Sequence, residues 1–223
     1  MEEVPIQSFI DLYEFVRGQP NRERLVFRGV TDAARHKLVP SVGRKKPRPG
    51  TSRPAFERRI LNLFKERALP HLDYHPRNDW EWLATAQHHG LPTRLLDWSY
   101  NPLVACYFAV ERDTDGDSAI YSLNLREVVV PDEVDPFELD RVARFRPSHV
   151  TPRIAAQAGV FTVHSRPDKA FVDIKRLKVG IVANSARSSL KRDLYKFGIT
   201  SSSLFPGLDG IAKEIEWRNT SEH

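Results

Sequence analysis

The sequence predicts an α+β domain with a mixed central sheet and flanking helices. Apolar runs typical of strands and repeats typical of amphipathic helices follow one another in an irregular order, whereas a doubly wound sheet would alternate them. With 40% hydrophobic residues and four tryptophans, the 223 residues provide enough apolar material for a substantial core. No long Ser/Gly-rich or acidic linker divides the sequence, so we expect a single domain over residues 1–223.

The first elements are a helix and a buried strand. We expect the helix from Ser8 to Arg17, with Ser8 as the N-cap and Gly18 just past the end. The run RLVFRG at residues 24–29 is short and apolar, which predicts a buried strand that carries Arg28.

A basic segment follows this strand. Between Arg35 and Arg59 stand nine Lys or Arg residues and one acid, Glu57. Prolines and glycines are frequent in the same stretch, so we expect a loose surface loop at about residues 35–54. Such a loop either keeps the surface well solvated or contacts phosphates of a nucleic acid or a nucleotide.

Two helices are expected next. AFERRILNLFKERAL, residues 55–69, repeats apolar residues at helical spacing, and its other face should be charged and solvated. The residues of the apolar face are Phe56, Ile60, Leu63 and Phe64. NDWEWLATAQHHG, residues 78–90, predicts a helix that is capped by Asn78, supported by Glu81 in a capping box and closed by Gly90.

The remaining elements surround a very apolar helix. LPTRLLDWSYN, residues 91–101, should be a turn or a short irregular link, because glycine and proline bracket it. Asn101 then caps a helix too apolar to face water, with Pro102 at its first position. Strands are expected at 119–125, at 159–164 and within 171–182, and closing helices at 189–198 and 207–217.

Polar residues border the start of the apolar helix. Within QHHGLPTRLLDW, they are Gln87, His88, His89, Thr93, Arg94 and Asp97. Polar groups beside a buried segment must satisfy one another or contact a ligand. Arg94 and Asp97 either form a buried ion pair or bind a ligand, and the two histidines either bind or interact with the helix dipole.

Several classes of protein are disfavoured. His71 and His75 have helical i,i+4 spacing, but Pro70 and Pro76 flank them, so no metal site is expected. The single Cys106 excludes an internal disulfide and a cysteine-based zinc cluster. No phosphate loop, G-x-S-x-G or H-E-x-x-H motif is present. The acidic start and the lack of a long apolar run predict a cytoplasmic protein without contact to a membrane.

The motifs resemble one family over nearly the whole chain. FRG at 27–29 followed by QHHGLPTRLLDWSYNPLVACYFA strongly resembles the FRG domain family, named for its Phe-Arg-Gly motif. The segments at 151–164 and 198–215 extend the resemblance, and the basic segment lies outside it. The family is bacterial and phage-associated, so the resemblance implies a toxin or an anti-phage effector.

The motif order is also similar to that of ADP-ribosyltransferases of the Arg-Ser-Glu type. This resemblance implies an ADP-ribosyltransferase-like fold in which Arg28 contacts NAD. Thr93 to Ser99, with Ala105 and Phe108, loosely parallel the second motif. Gln157 stands where those enzymes place a catalytic Glu, so a carboxylate from elsewhere would have to replace it. The candidates for that replacement are Asp97, Glu214 and Glu216.

The resemblance implies an enzyme that binds NAD, or a related nucleotide, and cleaves or transfers at the nicotinamide glycosidic bond. Arg28, Thr93 and Gln157 would take part in the chemistry. The nucleotide-binding residues would be Arg28, Gly29, Gln87, His88, Thr93, Arg94 and Asp97. A protein or an RNA would serve as the acceptor.

The alternative is a nucleic-acid-binding module without catalysis, which would use the basic segment and further cations along the chain. These cations are Arg141, Arg144, Arg146, Arg153, Lys175, Arg176 and Lys178. A third possibility is that the motifs are structural, with Arg28 and Asp97 joined in a buried ion pair.

Overall fold

Seven strands form one mixed sheet. A computed structural model describes residues 3–20, 25–148 and 151–220. The strands are β1 (Glu3–Ile6), β2 (Leu25–Val30), β3 (Leu95–Ser99), β4 (Ser118–Asn124), β5 (Ala143–Phe145), β6 (Gly159–Val163) and β7 (Leu177–Val182). Their order is β1-β7-β4-β2-β3-β6-β5. β1 runs parallel to β7, and every other neighbouring pair is antiparallel.

Helices flank the sheet, which confirms the predicted α+β class. They are α1 (Phe9–Arg17), α2 (Arg53–Ala68), α3 (Asp79–His88), α4 (Pro102–Val110), α5 (Pro152–Ala156), α6 (Arg187–Lys196), α7 (Ser201–Leu204) and α8 (Leu208–Asn219). None of the helices in the described residues combines the length and the apolar composition that crossing a bilayer requires.

The predicted helix caps are confirmed, with one difference in detail. The side chains of Ser8, Asn78 and Asn101 each accept a hydrogen bond from a backbone amide in the first turn of α1, α3 and α4. The Glu81 carboxylate accepts from the amide of Arg77 at 2.9 Å, one residue before the Asn78 amide that a capping box would use.

The prediction of an irregular link at residues 91–101 is wrong. Residues Leu95–Ser99 form β3, which lies between β2 and β6 near the middle of the sheet. Leu95, Leu96 and Trp98 are all buried. Because both faces of this strand are covered, the sequence lacks the alternation that identifies a strand with one face in water.

The basic segment at residues 35–54 is mostly exposed and irregular, as expected for a surface loop, but several contacts anchor it to the fold. Leu38 and Val42 are buried, and the amide of Val42 donates to the carbonyl of Thr93 at 3.1 Å. Arg53, at the start of α2, donates from Nη1 to the carbonyls of Val42 and Lys45 at 2.7 and 2.8 Å. These contacts hold the basic segment against the rest of the fold.

Helix α4 packs closely on β2 because β2 carries a glycine at the contact. A Cβ atom on Gly29 would lie 1.8 Å from the carbonyl oxygen of Ala105 and 2.6 Å from the amide nitrogen of Ala109. Real atoms do not approach so closely, so only glycine permits this distance between the helix and the strand. The predicted burial of α4 is confirmed.

The sheet opens between β2 and β3. These strands pair at a single position, Phe27 with Ser99, whereas β2 pairs with β4 over six positions and β3 pairs with β6 over five. The two halves of the sheet therefore separate beyond that pair, and the separation creates the candidate functional site.

Candidate functional site

A cavity of about 270 Å³ lies where β2 and β3 separate, and we call it the split cavity. Its floor is apolar and comes largely from α4, through Val104, Ala105 and Phe108, with Phe27 and Phe161 from the sheet. Its polar side chains are Arg28, Gln87, His88, Asp97, Ser99, Arg153 and Gln157, and Gly29 also lines it. An apolar floor with a few convergent polar groups is the usual form of a small-molecule site.

Arg28 bridges the opening between the two strands. Its Nη1 donates to the backbone carbonyl of Asp97 at 2.6 Å, so a side chain takes the place that a strand amide would occupy in a continuous ladder. The same Nη1 lies 3.8 Å from the Asp97 carboxylate. The Asp97 side chain is 61% exposed and that of Arg28 is 25% exposed, so this pair is not a buried ion pair.

The environment of Arg28 favours contact with an anion. Burial lowers the pKa of the Arg28 guanidinium, and the Asp97 carboxylate opposes that shift. Arginine nevertheless keeps its charge in proteins. The 3.8 Å distance to the Asp97 carboxylate leaves the Arg28 charge incompletely compensated. A phosphate is a suitable further partner.

Asp97 is held from its other side by a relay of hydrogen bonds. The Thr93 hydroxyl donates to Oε1 of Gln87 at 2.5 Å, and Nε2 of Gln87 donates to the Asp97 carboxylate at 3.0 Å. Thr93 is itself fixed, because its amide donates to the Ser41 hydroxyl at 3.0 Å and its hydroxyl accepts from the amide of Leu95 at 3.1 Å. Thr93 is buried and acts on the cavity through Gln87.

His88 and Arg153 form the basic side of the cavity. Burial lowers the pKa of His88, and the charges of Arg153 and His89 lower it further. The Arg153 guanidinium lies 4.8 Å from the centre of the Phe205 ring and makes a cation–π contact with it. A neutral imidazole beside a permanent cation can donate or accept a hydrogen bond without competing for an anion.

Gln157 lines the cavity at the end of α5. Its side-chain Nε2 donates to the backbone carbonyl of Leu204 at 3.1 Å, and its backbone carbonyl accepts from the Ser99 hydroxyl at 2.7 Å. These bonds fix Gln157 between β3 and α7. The structure therefore brings Gln157 together with Arg28 and Asp97 in one cavity, although they are far apart in sequence.

Arg94, predicted to bind a nucleotide, lies outside the split cavity. Its guanidinium donates from Nε and Nη2 to the two carboxylate oxygens of Glu57, both at 2.8 Å, and from Nη1 to the carbonyl of Pro136 at 2.8 Å. Arg94 and Glu57 are 1% and 3% exposed. The predicted alternative of an Arg94–Asp97 pair is wrong, because Glu57 on α2 satisfies Arg94.

Of the three carboxylates considered for the site, the structure places one in the cavity. Asp97 lines the split cavity, whereas Glu214 and Glu216 line a different cavity beside α8. Glu214 accepts hydrogen bonds from the amide and the hydroxyl of Ser202. Among the residues that the structure describes, no three His, Cys, Asp or Glu side chains are grouped as a metal site would need.

Sequence reasoning missed the position of Arg153 in the cavity. It was considered with the cations of a nucleic-acid surface, but the short helix α5 directs this part of the chain toward β3. Thr151 as N-cap and Pro152 at the first helical position mark the start of α5 and were the available signal.

Comparison with known proteins gives one family. A model of the FRG domain matches residues 23–118, a range that contains β2, β3 and α4 and most of the polar side chains of the split cavity. No curated protein and no solved structure matches the chain. The chain thus resembles the FRG domain over residues 23–118.

Proposed function

We propose that the split cavity binds NAD or a related nucleotide, and that the protein cleaves or transfers at the nicotinamide glycosidic bond. One observation carries this proposal: a single carboxylate, Asp97, lies in the cavity with Arg28 on one side and the Gln87 amide on the other. The order of motifs, which resembles ADP-ribosyltransferases of the Arg-Ser-Glu type, supports the same reaction and an ADP-ribosyltransferase-like fold.

The charges of the cavity suit a phosphorylated ligand. Arg28 and Arg153 are permanent cations, and Asp97 is the one carboxylate among the described lining residues. The net positive charge favours a diphosphate, and the apolar floor favours the flat face of a base or of nicotinamide. Ligand sites commonly measure about 300–1,000 Å³. A cavity of about 270 Å³ suits the nicotinamide–ribose end of NAD, with the remainder along the surface.

Asp97 supplies the charge that the reaction needs. Loss of nicotinamide leaves positive charge on the ribose, and a nearby carboxylate stabilises that charge more in the transition state than in the ground state. Gln157 offers hydrogen bonds to a ribose hydroxyl and no charge. The Gln87 amide holds Asp97 in one orientation, which lowers the cost of reorganisation when the charge develops. We assign Thr93 a positioning role through Gln87.

Release of nicotinamide from NAD tests this proposal. Asp97→Asn should lower kcat by roughly a hundredfold or more, because a lost transition-state charge costs a few kcal/mol. Glu214→Gln is the matched control, since this carboxylate lies outside the split cavity, and it should keep full activity. Arg28→Gln should weaken binding of NAD, measured as a smaller thermal shift. An Asp97→Asn protein as active as the original, or a total lack of nicotinamide release and NAD binding, would overturn the proposal.

A second candidate is nucleic-acid binding through the basic segment. Arg44, Lys45, Lys46 and Arg48 are exposed, while the contacts of Arg53 fix the backbone that carries them. A backbone that is already ordered loses little further freedom when the segment binds a phosphate backbone. Other predicted extensions of this surface are less suitable, because Arg176 pairs with Glu127 at 2.9 Å and Arg144 is buried.

The salt dependence of RNA or DNA binding checks this second candidate. Affinity that falls steeply with salt and is unchanged by NAD would favour a binding module without catalysis. Affinity that persists alongside nicotinamide release would favour a nucleic acid as the acceptor. If labelled ADP-ribose instead appears on protein, a protein acceptor is favoured. A role as a toxin or an anti-phage effector in bacteria is proposed from the family alone.

A further inference from the structure

The apolar face of α2 is only half covered by the protein. The core packs against Leu61, which is 1% exposed, but Leu63, two positions further along the helix, is 41% exposed. The sequence predicted the apolar face of an amphipathic helix that included Ile60, Leu63 and Phe64. In the structure, these three residues instead line an open groove.

The open groove, which we call the α2 groove, is concave. Leu72, after the end of α2, and Leu91, after the end of α3, form its other apolar walls. Its volume is about 640 Å³. Sites for small molecules commonly measure about 300–1,000 Å³. The groove is separate from the split cavity, and the proposed NAD chemistry does not use it.

Basic side chains surround this apolar surface. Arg67, His71 and His89 line the α2 groove together with the apolar residues, and no Asp or Glu of the described chain lines it. Within the part of the chain that the structure describes, no carboxylate lies within 4.0 Å of the Arg67 guanidinium. An apolar surface with an unpaired cation complements a ligand that is itself apolar with one negative end.

We propose that the α2 groove binds a free fatty carboxylate of medium chain length, with the chain along Leu63 and Phe64 and the carboxylate at Arg67. The charges disfavour a second copy of the protein, since a two-fold contact through this face would bring the same cations together. A protein–protein interface usually takes about 20–30 residues from each side, whereas nine described residues line the α2 groove.

The α2 groove is close to the split cavity. The rings of His88 and His89 contact edge to face, with centroids 5.0 Å apart. His88 lines the split cavity and His89 lines the α2 groove. A ligand that contacts His89 in the groove is therefore linked to the split cavity through the two contacting imidazole rings.

Titration with dodecanoate tests the proposal, with binding followed by calorimetry and by tryptophan fluorescence. Trp82 reports on the groove because its ring contacts Phe64 edge to face at 6.3 Å. We expect saturable binding at one site. Leu63→Asp, at a half-exposed position, should abolish binding and leave thermal stability nearly unchanged. Arg67→Gln should weaken dodecanoate binding about tenfold, the usual effect of losing one charged hydrogen bond.

Two controls separate the charge from the apolar surface. Dodecanol, which lacks the carboxylate, should bind the original protein and Arg67→Gln equally. Arg59→Gln, an exposed position on α2 outside the groove, should bind dodecanoate like the original protein. The proposal is overturned by absence of saturable binding, by equal dodecanoate binding to Arg67→Gln, by binding to lipid vesicles alone, or by a dimer that Leu63→Asp dissociates. Nicotinamide release takes no part in this assay, so its result is independent of the proposed enzyme activity.

Discussion

The buried pair of Glu57 and Arg94 should be among the most sensitive points of the fold. Glu57→Leu removes the carboxylate that accepts both 2.8 Å hydrogen bonds of Arg94 and leaves a cation that is 1% exposed. Removing one partner of such a pair costs about 3–5 kcal/mol, because the remaining charge stays buried without compensation. In a chain of 223 residues, this loss corresponds to a fall in Tm of about 6–20 °C.

Urea and thermal unfolding of two further variants test the reason for this loss. Glu57→Leu combined with Arg94→Met should recover most of the stability, since an apolar replacement of the whole pair leaves no buried charge. Arg58→Gln is the matched control on the same helix. It removes solvent-accessible pairs with Asp135 and Glu138 and should cost less than about 1 kcal/mol. A Glu57→Leu loss as small as that of Arg58→Gln, or a double variant no more stable than Glu57→Leu, would refute the reasoning.

Three further predictions concern single positions. Gly29→Ala should lower Tm markedly, because the new Cβ would meet the Ala105 carbonyl. A loss of about 1 kcal/mol corresponds to a fall in Tm of about 2–4 °C in a chain of this size. A Tm within about 1 °C of the original would therefore contradict the close packing of α4. Thr93→Val should lower kcat for nicotinamide release and leave KM for NAD nearly unchanged, because the Gln87 side chain loses the hydroxyl that donates to its Oε1. A change in KM alone would indicate that Thr93 contributes to NAD binding instead. Burial lowers the pKa of His164 to about 3, so the unfolded chain binds a proton below pH 6.5 that the native state does not. Stability should therefore fall with acidification by up to about 1.4 kcal/mol per pH unit from this group, and His164→Gln should show a smaller slope of unfolding free energy against pH between 6 and 4.

Local signals in the sequence were sufficient for the helices and insufficient for the middle of the sheet. Ser8, Asn78 and Asn101 cap helices through amides two or three residues away, so a short window contains the whole interaction. The strand Leu95–Ser99 is specified by distant parts of the chain, since β6 pairs along one of its edges, β2 meets the other edge at Ser99, and core residues pack on both faces. Without knowledge of these neighbouring elements, the nearby Pro92 indicated an irregular link instead of a strand.

The sequence predicted most of the residues at the candidate site, but it did not predict which side chains pair with one another. Most of the polar residues chosen from QHHGLPTRLLDW and FRG line one cavity, because β2, α3 and β3 meet there. The partner of Arg94 was missed, since Glu57 is 37 positions away on the face of α2 expected to be solvated. The burial of Glu57 on this charged face could be predicted only by knowing that Arg94 packs against it.

The single strand pair between β2 and β3 has a consequence for aggregation. A strand edge with unpaired amides and carbonyls can recruit a strand from another chain, and proteins usually protect such edges at the periphery of a sheet. Here the opening beyond Phe27 and Ser99 creates two edges inside the molecule. Helix α4 covers them, and Arg28 already occupies the carbonyl of Asp97. The two inner edges are thus shielded from the strands of neighbouring molecules.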